Sequence, residues 1–185
     1  NDMFYFGAHK EAEGSLFFAS LNSGVFYFHP HQWKDNEFIP PVHITSFSLL
    51  NKEVSMKDSG SVLKSAIEFT KEIVLSYKQN MISFSFASLN FIHPEKNQYA
   101  YMLEGYDKEW IYTDASRGFA SYTNLDPGEY IFKVKGSNND GLWNPRPTEL
   151  RISITPPFWK TAWYKILVIF SIIGAAWAFY RYRIG

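Results

Sequence analysis

The sequence predicts an all-β protein, an antiparallel β-sandwich followed by one membrane-spanning helix, and three observations carry the prediction. Runs of alternating apolar and polar residues at strand length recur through the middle of the chain. Turns rich in proline, glycine and asparagine separate them at regular spacing, the pattern of a sandwich. Near the end, "AWYKILVIFSIIGAAWAFY" carries Lys165 as its sole charge. At 1.5 Å per residue a helix over Ala162 to Tyr180 would span roughly 28 Å, close to the hydrocarbon thickness of a bilayer.

Residues 1–40 hold short aromatic runs at Phe4 to Phe6, Leu16 to Ala19 and Val25 to Phe28, with "LNSGVFYF" reading as a tight turn into a strand. Three such strands cannot bury both faces alone, so they read as the end of a larger β-unit. Pro40 and Pro41 mark a boundary, since neither donates a backbone hydrogen bond and both favour an extended crossing. A strand is predicted at Val42 to Leu49. Further inward stripes follow at Ile73, Leu75 and Tyr77, at Ile82, Phe84 and Phe86, at Tyr99, Tyr101 and Leu103, at Tyr130, Phe132 and Val134, and at Leu150, Ile152 and Ile154. Asp126, Pro127 and Gly128 form one turn and Asn139, Asp140 and Gly141 another. The predicted divisions are residues 1–40, 41–157 and 158–185.

The segment "YAYMLEGYDKEW" poses the main question of site against scaffold. Tyr99, Tyr101 and Leu103 read as core residues, with Gly105 allowing a bend and Trp110 capping the core. Glu104, Asp107 and Glu109 are candidates for a catalytic carboxylate pair. Lys108 between them, and the lack of a histidine or nucleophile nearby in sequence, make solvated loop charges the better reading.

Composition excludes several classes. Eighteen basic residues balance eighteen acidic ones, and no basic cluster is large enough to track nucleic acid. The chain has no cysteine, which removes disulfides and thiolate metal sites. His29 and His31 flank a proline but lack a third ligand, and His9, His43 and His93 stand alone, so neither a metal nor a cofactor is expected. The "NNDG" turn lacks the ligand spacing of a helical calcium loop. Trp33, Trp110 and Trp143 could stack on sugars, yet tryptophans in a sandwich more often serve as core or corner residues.

The motifs "PPVHITSFSLLNK", "SFSFASLNF", "YAYMLEGYDKEW", "YTNLDPGEYIFKVKGSNNDGLWN" and "PPFWKTAWY" occur in order. Together they resemble the triple-tyrosine (Y_Y_Y) domain of bacterial hybrid two-component sensor histidine kinases, with Tyr99, Tyr101 and Tyr106 in the name-giving region. The resemblance implies an immunoglobulin/fibronectin-like sandwich at 41–157, preceded at 1–40 by the closing strands of a β-propeller. It implies a kinase beyond the span and an oligosaccharide ligand bound largely by upstream propellers. Lys160 and Lys165 before the span balance Arg181 and Arg183 after it, so charge leaves the orientation open. The resemblance places the sandwich in the periplasm and the C-terminal end in the cytoplasm, at the inner membrane.

The segment is thus expected to be non-enzymatic and to transmit a signal, with Pro156, Pro157, Phe158 and Trp159 as a stiff coupling linker and a homodimer as its format. The alternative is a carbohydrate-binding or adhesive sandwich tethered to a membrane. A membrane-anchored hydrolase would need a nucleophile or a carboxylate pair in a pocket.

Overall fold

The computed structural model describes residues 8–20, 24–32 and 34–184. They form two compact units, one ending at Glu37 and the other starting at Phe38. In the first, β1 (Ala8–Lys10), β2 (Leu16–Ser20) and β3 (Gly24–Phe28) make an antiparallel sheet in that order. Strands β2 and β3 are the expected aromatic runs. The run at Phe4 to Phe6, the residues 21–23 of the predicted turn, Trp33 and Gly185 lie outside the described residues. Cross-strand rings stack, Phe17 on Tyr27 at 5.7 Å and Phe18 on Phe28 at 5.8 Å, the pairing that stabilises a small sheet.

The second unit is a sandwich that continues into a helix. Its strands are β4 (Val42–Leu49), β5 (Lys52–Glu53), β6 (Glu72–Ser76), β7 (Ile82–Ser88), β8 (Gln98–Glu104), β9 (Ile111–Asp114), β10 (Phe119–Tyr122), β11 (Gly128–Gly136) and β12 (Thr148–Thr155). One sheet has the order β10-β7-β4-β5 and the other β6-β12-β11-β8-β9. Alternation buries one face of the longer strands, while the short edge strands β5 and β9 bury no residue. Phe84 stacks on Phe132 across the sandwich at 4.3 Å, and Ile73, Ile82, Leu103, Leu150 and Ile152 close the core around them. Strand β4 keeps its phase only through a bulge between Ile44 and Ser46, which lets both Ile44 and Phe47 point inward. Leu50 and Asn51 both have positive φ, the twist that a two-residue hairpin into β5 requires.

One pairing departs from the all-antiparallel expectation. Strand β6 runs parallel to β12, with Ile73 opposite Ile152 and Ser76 opposite Thr155. The chain between β5 and β6 crosses from one sheet to the other, so β6 arrives alongside β12 in the same direction. Tyr77, expected on the β6 core stripe, lies just past the strand and is half-buried. Helix α1 (Ala162–Ile184) follows β12, is long and apolar enough to cross a membrane, and has no residue buried against the sandwich.

Candidate functional site

The three motif tyrosines serve three different purposes. Tyr99 is buried; its ring meets Phe86 edge-on at 5.3 Å and its hydroxyl accepts the Ser88 backbone N–H at 3.0 Å. Tyr101 is half-buried against Phe86 and Phe132 at the edge of the core. Tyr106 lies beyond the bend at Gly105, whose φ of +95° bears out the turn predicted there. It is exposed and packs edge-on against Tyr122 at 5.7 Å.

Asp107 was expected to be a solvated loop charge, and the structure corrects that. Its Oδ2 accepts both the Leu103 backbone N–H and the Tyr122 hydroxyl at 2.7 Å. Tyr122 ends β10 of one sheet while Asp107 follows β8 of the other, so this carboxylate ties the two sheets together. Burial first, and then the bond to Asp107, push the Tyr122 phenol far above its ordinary pKa. Burial followed by the Asp107 charge raises Tyr101 as well. Glu104 instead pairs with Lys133 at 2.5 Å on the outer face, and Glu109 is exposed, so the three carboxylates do not converge.

The Asp126-Pro127-Gly128 turn is fastened by Tyr130, whose hydroxyl donates to the Asp126 carbonyl at 2.9 Å. This is the tyrosine corner of immunoglobulin-type sandwiches, placed at the start of the strand as in those folds. Burial first, and then the Asp126 charge, raise its phenol.

Trp110 does not cap the core. Ile111 pairs with Tyr101 and Tyr112 with Ala100, a register that turns Trp110 and Tyr112 to the outer face. There the Lys135 ammonium sits 4.6 Å from the Trp110 ring centre and 5.6 Å from that of Trp143, and Tyr112 meets Trp143 edge-on at 5.6 Å. In the Asn139-Asp140-Gly141 turn only Gly141 has positive φ. The turn is organised by the preceding Asn138, which is fully buried. Its Oδ1 accepts the Asp140 and Leu142 N–H groups, and its Nδ2 donates to the Phe38 carbonyl.

Of the histidines, His29 bonds Ser15 and His93 pairs with Glu95, and among the described residues no three His, Cys, Asp or Glu side chains are grouped to hold a metal.

The linker to α1 is fastened at several points. Thr155 Oγ1 donates to the Leu75 carbonyl at 3.0 Å, Pro157 is buried and extended, and Phe158–Lys160 form a single tight turn. Trp159 meets Tyr77 edge-on at 5.3 Å, and Phe158 packs on both Trp159 and Tyr164. The contact from Tyr77 was not foreseen, because no local pattern links residues so far apart in sequence.

Residues 90–155 match the Y_Y_Y domain. The chain carries a Y_Y_Y domain. It is also 37% identical over 176 residues to histidine kinase P4 of Formosa agariphila, covering 95% of this chain and 12% of that protein. Two solved extracellular domains of B. thetaiotaomicron, named for the hybrid two-component systems BT4673 and BT3049, share its fold. The first has TM-score 0.59 and 28% identity, covering 79% of this chain and 19% of that one. The second has TM-score 0.60 and 27% identity, covering 81% and 20%. The chain therefore spans a small part of the length of each. The Y_Y_Y match begins at Asn90 and ends at Thr155, so it holds the Asp107 tie, the tyrosine corner and the last residue before the linker.

Proposed function

We propose that this segment is the membrane-proximal periplasmic part of a hybrid two-component sensor, passing ligand occupancy of upstream domains to a cytoplasmic histidine kinase. In this reading it performs no chemistry itself. Residues 1–40 are the closing strands of a propeller, α1 crosses the inner membrane, and Arg181 and Arg183 lie in the cytoplasm. The ligand class, an oligosaccharide, follows from the resemblance. A single span reports poorly alone, so two copies of the chain act as a homodimer, and the ligand favours one arrangement of the two sandwiches by binding it more tightly.

The observation that supports this reading best is the anchoring of the short stretch between β12 and α1 to the sandwich. The Thr155 bond, the buried Pro157 and the Tyr77 contact hold that stretch in place. Inserting about five Gly and Ser residues between Thr155 and Phe158 of the full-length protein supplies a flexible joint. Ligand affinity and membrane insertion should survive, and ligand-dependent kinase output should vanish. An undiminished response would refute rigid coupling.

The outer cluster of Trp110, Tyr112 and Trp143 favours the second reading, a tethered sugar-binding sandwich, because tryptophan faces stack on sugar rings. Calorimetry of the 185-residue chain with glycan fragments separates the two. Tight binding that is lost in Trp143→Ala would support the tether, and no binding supports the sensor.

A further inference from the structure

The turn between β6 and β7 has no part in the linker by sequence, yet it lies beside it. Ser76 N–H donates to the Gln79 side chain at 2.9 Å and Gln79 N–H to the Ser76 carbonyl at 2.8 Å, so the turn is held in shape. Its two tip residues are Tyr77 and Lys78. The Tyr77 ring rests edge-on against Trp159, and the exposed Lys78 ammonium lies 5.9 Å from the Tyr77 ring centre. Phe158, Trp159 and Lys160 stand exposed next to them, one residue short of the helix. Aromatic rings with amphipathic faces, interleaved with lysines and continuous with an apolar helix, have the composition of a bilayer interface.

We propose that the Tyr77-Lys78 turn of the sandwich docks on the lipid headgroups, together with Phe158, Trp159 and Lys160, and prefers an anionic bilayer surface. This rests on the reading that α1 crosses a membrane. The occupant is a lipid surface because the patch runs without a break into the start of that helix. A sandwich held at two points, by its linker and by this turn, has a fixed tilt over the membrane. A change of tilt imposed from upstream must then either lift the turn from the headgroups or turn the helix. The lysines add attraction to anionic lipid, and the rings set the depth.

The cysteine-free chain suits a labelling test. Asn80→Cys and Gly174→Cys variants of the 185-residue chain, each spin-labelled, are placed in nanodiscs with and without phosphatidylglycerol, and the access of each label to a water-soluble nickel complex is measured. The label at residue 174 should be inaccessible in both. The label at residue 80 should be shielded in anionic discs and more accessible in neutral ones. Adding Lys78→Glu, at an exposed position, should reduce the docked population in anionic discs about fivefold. A shielded residue 174 with residue 80 fully accessible in both discs overturns the docking and leaves the span intact. An accessible residue 174 overturns the span and the docking with it. Shielding of residue 80 that ignores both lipid charge and Lys78→Glu overturns the anionic preference.

Discussion

Where the chain enters the sandwich, the sheets are tied by neutral amides. Asn90 Nδ2 donates to Asn97 Oδ1 at 2.8 Å and Asn97 Nδ2 returns a bond to the Asn90 carbonyl. Asn138 reaches the Phe38 carbonyl, and Thr148 bonds the Val42 carbonyl. Where the chain leaves, the ties are one carboxylate and a set of rings: Asp107 on Tyr122, Tyr106 against Tyr122, Tyr130 on its own turn and Tyr77 against Trp159. Buried amides bond in few directions and hold one geometry, because any other leaves them unsatisfied. Ring contacts at a half-exposed edge leave fewer buried polar groups unpaired when they are lost, so each costs less to break. The contrast assigns the ties that cost more to break to the end where the chain enters and the less costly ones to the end that leads into the helix.

The amide end should be the more costly to break. Asn138→Ala leaves two N–H groups and a carbonyl without their partner at a fully buried position, and it should cost about 3 kcal/mol in denaturant unfolding. Asp107→Asn should follow at about 2 kcal/mol, since it weakens two charge-assisted bonds but keeps one acceptor oxygen. A loss smaller at Asn138 than at Asp107 would reverse the contrast.

The stripes at Ile82, Phe84 and Phe86, at Tyr130, Phe132 and Val134, and at Leu150, Ile152 and Ile154 were legible because alternation alone decides which side of a strand is buried. Asp107 was not legible, since its meaning depends on Tyr122, which is brought to it only when the sheets pack. Trp110 was misread because the register of the short edge strand β9 decides its face, and no alternation runs long enough to reveal that register. The parallel β6–β12 pair and the Tyr77 contact with Trp159 depend on a sheet-to-sheet crossing and left no local signal. The proline pair marked the end of the sandwich in the sequence, while the burial of Pro157 came from the fold.

High pH should act on the ring-built end. The Tyr122, Tyr101 and Tyr130 phenols are all raised, so the fold holds their neutral forms. Below a pH of about 9 they are protonated in both states and contribute no pH dependence. Above it the unfolded chain ionises first, and stability falls as pH rises toward the folded values. Tyr122→Phe should therefore lose less stability than the parent between pH about 9 and about 11, and equal losses would refute the assignment. Lys135→Met on the outer face should cost the least, about 0.5 to 1 kcal/mol, because only its cation–π contacts with Trp110 and Trp143 are removed.

The central claim is that the sandwich and the helix move as one piece. Spin labels on Cys substitutions at Glu72 in β6 and Ile166 in α1, with the chain in nanodiscs, report the distance between them directly. A single narrow distribution that broadens when the Gly and Ser joint is inserted after Thr155 is the expected result. A distribution already broad in the parent chain, and unchanged by the insertion, would contradict rigid coupling.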